Sequence, residues 1–144
     1  MPESVKLIFP TISPRIKSEE GEKFIWDSLR GKWLVLTPEE WVRQHTIGWL
    51  VAHKGVPALR ITQEYPVKIN GLNQRADIVV VDEKAKPHIL VECKAPDVIL
   101  DHEVVMQAIR YNSIVGARYI LLTNGLKLYG YEYADGKYRG LKEF

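Results

Sequence analysis

A chain of 144 residues has the length of one domain, enough for a real core and too short for two comfortable ones. Its 46% hydrophobic and 26% charged residues match an ordinary globular protein, and a balance of twenty Lys and Arg against eighteen Asp and Glu leaves +2. Any affinity for nucleic acid must therefore rest on local charge. The single cysteine, Cys93, excludes an internal disulfide and a cysteine-rich zinc site and suits a reducing compartment. No apolar run is long enough for a bilayer and no signal-peptide pattern opens the chain, so a cytoplasmic location is expected.

In chain order, Val5 to Phe9 reads as a short strand punctuated by Pro2, Pro10 and Pro14, and Ser18 to Gly21 as loop. Lys23–Asp27 and Lys32–Leu36 flank Gly31 in a hairpin pattern, a small N-terminal addition whose Trp26 and Trp33 read as hairpin packing. Residues 1–36 form this extension and 37–144 the main domain, within one compact unit. Thr37-Pro38-Glu39-Glu40 is a helix start, with Thr37 as N-cap, Pro38 first and Glu40 third; the helix runs to about Lys54 and stops at Gly55. A strand from Leu59 to Val67 follows, at a sheet edge because of Pro66, and Asn70-Gly71 turns the chain back.

The central feature is a pair of β-rich runs, Ile78–Val81 and Ile89–Val91, joined by the charged segment Asp82 to His88. Asp77 opens the first run and Glu92-Cys93-Lys94 closes the second. Glu92 and Lys94, two apart on a strand, share a face. A register that pairs Asp77 with Glu92, and Val81 with His88, sets two carboxylates about 5 Å apart at Cβ. Such a pair is destabilising unless a cation sits between, and carboxylate oxygens are what Mg²⁺ prefers. An exposed salt-bridged strand face is the plainer account of the same residues. Cys93 points to the opposite face as a buried, inert thiol, and His45, His53, His88 and His102 share no zinc-like spacing.

Asp101 caps a helix from about His102 to Val115, closed by Gly116, with Val105, Ala108, Ile109 and Val115 as its buried stripe. Gln107 and Tyr111 lie i, i+4 on one face with Arg110 beside them. Arg118–Thr123 is a strand fit for a sheet interior, Asn124-Gly125 leads into a last strand to Tyr133, and Ala134-Asp135-Gly136 turns into a short tail. Tyr129, Tyr131, Tyr133 and Tyr138 read as sheet packing. The fold class expected is α/β (α+β), a mixed β-sheet flanked by helices, with the second helix as a crossover. Arg43, Lys54, Arg60, Lys68 and Arg75 are candidates for a local positive surface.

Five motifs stand in order between Thr37 and Tyr133: Pro38-Glu39-Glu40-Trp41-Val42-Arg43-Gln44, Arg75-Ala76-Asp77-Ile78-Val79-Val80, Leu90-Val91-Glu92-Cys93-Lys94-Ala95-Pro96, Gln107-Ala108-Ile109-Arg110-Tyr111-Asn112 and Leu122-Thr123-Asn124-Gly125. Together they resemble the PD-(D/E)xK nuclease superfamily and, more narrowly, the N-terminal nuclease domain of type I restriction enzyme R (HsdR-type) subunits. Ala76 stands where a proline often precedes the aspartate. The resemblance implies a restriction-endonuclease-like core and a Mg²⁺-dependent DNA endonuclease, with Mn²⁺ able to substitute. It makes Asp77 and Glu92 metal ligands, with the Cys93 backbone carbonyl a third. Lys94 would orient or deprotonate the attacking water, and Gln107 and Tyr111 would support the site and contact the DNA backbone. Of the two first-helix acids, Glu39 has the family's spacing to Arg43 and is assigned to the site and its metal, Glu40 to the helix cap. Arg43, Arg75 and Arg110 become the phosphate-contacting candidates. Partners implied are DNA, separately encoded restriction-modification subunits and a second copy of the chain, with no membrane. The chain carries no phosphate-binding Gly-x-x-x-x-Gly-Lys-Ser/Thr, so no ATP-driven motor is expected in it. A module that keeps the nuclease fold only to bind DNA or a protein is the alternative.

Overall fold

The structure, a computed structural model, describes residues 5–144. An antiparallel sheet of β1 (Ile16–Glu19), β2 (Glu22–Asp27) and β3 (Lys32–Val35) comes first, then helix α1 (Pro38–Ala52). A six-stranded sheet follows, in the order β4 (Ile61–Ile69), β5 (Leu72–Val81), β6 (Pro87–Cys93), β7 (Tyr119–Thr123), β8 (Leu128–Ala134), β9 (Lys137–Leu141), with helix α2 (His102–Val115) between β6 and β7. The β6–β7 pair is parallel and the other pairs antiparallel, so α2 is the crossover and the class is the expected mixed α+β. Among the described residues no helix is long and apolar enough to cross a membrane.

Local chemistry explains most boundaries. Thr37 Oγ1 accepts the Glu40 N–H at 3.0 Å and Pro38 begins α1; Asp101 Oδ1 accepts the Val104 N–H at 3.2 Å, and Gly116, left-handed at φ 75°, closes α2. Asn70 and Gly71 at φ 50° and 77° make the two-residue reversal between β4 and β5, both residues needing positive φ. Edge strand β4 accommodates Pro66.

The sequence expectations need correction at four places. Val5–Phe9 is not a strand: Leu7 and Phe9 are buried in the core and the Ile8 N–H donates to Gly125 O at 2.7 Å, so burial rather than pairing orders it. Glu20-Gly21 is a tight turn that gives the first hairpin a third strand, β1, where a loop was expected. The tail after Asp135-Gly136 is β9, paired to β8 from Ala134↔Lys137 to Gly130↔Leu141. Finally, Asp77 lies within the ten-residue β5 instead of opening a strand.

Two apolar clusters sandwich the large sheet. Ile78, Val80, Ile89, Val91 and Cys93 pack with Val42, Ile47 and Leu50 of α1; Val79, Leu90, Ile120 and Leu122 pack with Ala108, Tyr111 and Val115 of α2. Val79 of β5 and Leu90 of β6 lie on the α2 side, as do Gln74 and Ala76 earlier in β5, so the alternation of β5 is interrupted around Asp77.

Candidate active site

The register Ile78↔Val91, Val79↔Leu90, Val80↔Ile89, carried one step on, sets Asp77 opposite Glu92. The expected Val81–His88 pair does not form. The ladder shifts between Val80 and Val81, which pairs with Pro87, because Pro87 opens β6 and leaves His88 as the extra residue of a bulge. The irregularity lies at the far end of the hairpin from the acids.

Glu92 is only 6% exposed, and its Oε1 is buried with no hydrogen-bond partner. Burial, then the charge of Asp77 and a hydrogen bond between the two carboxyls, push the Glu92 carboxyl up to about 10, with Lys94 pulling the other way. Asp77 Oδ2 accepts the Cys93 N–H at 2.7 Å, which ties one carboxylate to the backbone that carries the other. Lys94, just past β6, is half-buried, and its backbone N–H donates to Thr123 O at 2.9 Å, fixing the end of β6 to β7. The Cys93 side chain faces α1, fully buried, with Sγ 3.8 Å from Thr46 Oγ1 and its thiol pushed well up by burial.

The first turn of α1 separates its two acids. Partial burial of its carboxyl, then the charge of Asp77, raises the Glu39 pKa, with Lys94 and Arg43 opposing. Glu39 thus belongs to the electrostatic field of the hairpin. Glu40 supplies the backbone N–H for the cap, but its carboxylate does not reach back to it; Oε2 accepts Arg43 Nε and Gln44 Nε2, each at 2.9 Å. Arg43 is consequently enclosed by α1: burial works against its charge, and the Glu40 carboxylate outweighs that and holds its pKa above the ordinary value. The Arg43 side chain is 11% exposed, and its guanidinium is engaged by Glu40.

Gln107 lines an open groove with Lys94, Asp97, Asp101 and Glu103, and a second one with Gln74, Arg110 and Tyr111. The two grooves meet along its side of α2. Arg110 is exposed and donates to Gln107 Oε1; Tyr111 is buried, its hydroxyl donating to Gln74 Oε1 at 3.5 Å. Arg75 is exposed and lies 3.8 Å from Glu64. A wide cleft walled by Lys54, Arg60, Lys86 and Phe144 opens at the other end of the β5–β6 hairpin and takes in none of the site acids.

Sequence reasoning missed Glu64, Gln44 and Gln74. Glu64 lies between Gln63↔Ile78 and Tyr65↔Ala76, hence across from Asp77, at φ 54° within a strand. A non-glycine residue in that conformation is strained, and among the described residues Arg30, from the N-terminal hairpin turn, and Arg75 hold its carboxylate. The Arg30 hydrogen bond, before other effects, lowers the Glu64 pKa. No spacing rule connects residues 30, 64 and 77.

Among the described residues no three His, Cys, Asp or Glu side chains form a group that holds a metal. What fits a divalent cation is narrower: two facing carboxyls, one with a buried oxygen lacking a partner, that repel one another once both ionise. This donor set suits a hard cation that keeps most of its ligands as water.

A family model described as type I restriction enzyme R protein N terminus matches residues 38–144. A solved fragment assigned to the HsdR subunit of a type I restriction enzyme from Vibrio vulnificus YJ016 is 24% identical at a TM-score of 0.46, over 58% of this chain and 18% of that one. The chain thus spans less than a fifth of that protein. No curated protein matches the sequence.

Proposed function

The chain belongs to the family of type I restriction enzyme R protein N termini, and from that premise we propose that it is a divalent-metal-dependent DNA endonuclease of the PD-(D/E)xK kind. The observation that carries this reading is the Asp77–Glu92 pair, in which Glu92 is buried with an unpartnered oxygen, with Lys94 beside it. Nothing in simple binding requires two carboxyls to be forced together at such electrostatic cost.

Asp77, Glu92 and the Cys93 carbonyl would hold Mg²⁺, or Mn²⁺ in its place, and Glu39 would act on the ion's water ligands. When bound, the ion supplies Lewis-acid polarisation of a phosphate oxygen and an acidified water. The remaining chemistry belongs to the chain. Lys94 orients the attacking water and offsets negative charge that grows on the phosphoryl oxygens in the transition state. Gln107, between the two grooves, positions the backbone of the scissile strand, with Tyr111 fixing the helix face and Arg110 and Arg75 meeting neighbouring phosphates. Arg43 braces Glu40 and keeps the first turn of α1 in place.

DNA is the proposed substrate, and separately encoded restriction-modification subunits and a second copy of this chain are proposed partners, in a cytoplasmic setting. The test is nicking of supercoiled plasmid with Mg²⁺ or Mn²⁺. Wild type should cut, and Asp77→Ala and Lys94→Ala should lose roughly 100-fold or more of the rate. Equal cutting by all three proteins, or none in any metal, overturns the reading. The lack of a third acidic ligand among the described residues favours one second reading, a weakly active module that binds DNA; it predicts plasmid binding that survives Lys94→Ala without cutting.

A further inference from the structure

The three-stranded sheet precedes the residues matched by the family model, and its two faces differ in kind. The inner face carries Ile25 and Asp27, both fully buried. Registers Lys17↔Phe24, Phe24↔Val35 and Trp26↔Trp33 put Lys17, Phe24, Trp26, Trp33 and Val35 on the other face. There Trp26 and Trp33 meet edge to face at 5.2 Å. The Arg15 guanidinium lies 4.9 Å from one indole centroid and 5.4 Å from the other, and Lys17 Nζ lies 4.6 Å from Trp33 and 5.7 Å from Phe24. Arg15 is exposed and makes no ion pair among the described residues; Val35 is 46% exposed.

Hairpin packing accounts for the tryptophan pair. It does not account for two cations held over the rings, one without a carboxylate among the described residues. Indoles ringed by cations offer what a single nucleic-acid strand takes, a π-surface for bases and charge for phosphates. Position points the same way. Trp26↔Trp33 is the next pair after Asp27↔Lys32, which closes the turn whose Arg30 holds Glu64, across from Asp77.

We propose that this face docks a single-stranded nucleic acid, its bases stacking on Trp26 and Trp33 and its phosphates meeting Arg15 and Lys17, so that a strand leaving the hairpin site is held beside it. The assignment of nucleic acid rests on the nuclease reading; the surface itself does not. An acidic peptide would find the same cations but gain nothing from the rings as stacking surfaces.

The test measures anisotropy of a labelled oligothymidine with the 144-residue chain in EDTA, so that nothing is cut. Trp33→Leu should weaken binding roughly 5- to 100-fold while Trp33→Phe keeps most of it. The double change Arg15→Ser with Lys17→Ser should flatten the slope of log K against log salt by about 1.4, two phosphates' worth for a single strand. Circular dichroism screens for unfolding; should Trp33→Leu unfold, the double variant, whose side chains point outward, decides alone. Unchanged affinity and slope overturn the proposal, as does competition by polyglutamate equal to that by unlabelled oligonucleotide. The two readings fail separately. Binding that depends on Trp33 in a protein that never nicks plasmid removes the nuclease reading alone, and nicking without such binding removes this one alone.

Discussion

Glu92 and Asp77 share what two ionised carboxylates would contest, and burial, ahead of the Asp77 charge, lifts the Glu92 carboxyl to about 10 from 4.5. A carboxyl whose folded pKa is raised binds more protons folded than unfolded. Its contribution to stability is complete below the unfolded value and is lost as pH climbs toward the folded one. The metal-free protein should therefore melt at falling temperature as pH rises between about 5 and 9, and Glu92→Gln should remove most of that slope. Because the proton must leave for a cation to enter, Mn²⁺ affinity by calorimetry should rise with pH over the same window, with heats that depend on buffer ionisation. An affinity independent of pH would dissociate Glu92 from the metal. The two acids of α1 separate by a different pair of readouts. Glu40→Ala leaves Arg43 enclosed without its carboxylate and should cost about 3 kcal/mol in denaturant unfolding. Glu39→Ala should leave the unfolding midpoint nearly unchanged and lower only the nicking rate.

Two elements hang on single polar or steric features. The first hairpin is fastened to β4 by Asp27, fully buried, which accepts N–H groups of Leu29 and Arg30 at 3.1 and 3.2 Å, Arg30 Nε at 2.6 Å and Gln63 Nε2 at 3.1 Å. Burial opposes the Asp27 charge, but the Arg30 and Gln63 hydrogen bonds prevail and lower its pKa; that stability is present above 3.8 and lost as pH falls below it. Asp27→Ala strips four donors of their acceptor and should cost about 3–5 kcal/mol, read by thermal or denaturant unfolding. If the Arg30–Glu64 link also positions the site, Arg30→Met should lower the nicking rate more than its unfolding midpoint accounts for. The turn into β8 is as constrained. Gly125 sits at φ 84°, where an added Cβ meets Leu7 Cδ2 at 2.6 Å and Val42 Cγ2 at 3.1 Å. Gly125→Ala combines a left-handed penalty with a clash and should destabilise by about 2–4 kcal/mol.

At the scale of the whole molecule, residues before the family-matched region are part of the core. Leu7, Phe9, Ile25 and Leu36 are buried in one cluster with Val42, Leu50, Ile78 and Val91. A chain cut to 37–144 exposes the α1 side of that cluster and opens the Gln63 and Glu64 contacts of β4. It should lose cooperative unfolding or aggregate, as seen by calorimetry and light scattering, even though it contains every site residue. Should the shortened chain unfold cooperatively and still nick plasmid, the first 36 residues are an appendage after all.

Much of this protein is written locally. Thr37-Pro38, Asp101, Gly116 and Asn70-Gly71 mark their own boundaries because a cap or a two-residue turn depends only on neighbouring backbone groups. The register that sets Asp77 opposite Glu92 is legible as one way to pair Ile78–Val81 with Ile89–Glu92, but both runs are core on both faces, so alternation alone does not single it out. Spacing to Arg43 assigns Glu39 to the site and leaves Glu40 to the cap, and the structure adds that the Glu40 carboxylate bonds Arg43 and Gln44. Burial and long-range pairing stayed invisible. Leu7 and Phe9 look like a strand and are a core strap, Glu20-Gly21 looks like loop and is a hairpin turn, and Glu64 carries no local mark of its place across from Asp77. The sequence by itself determined the order of elements from α1 to β8 and the candidate carboxylate pair, because capping, turn geometry and strand period act over a few residues. Only the tertiary structure decided which acids are desolvated, which arginine is enclosed and what braces the site, because those energies depend on atoms distant in the chain.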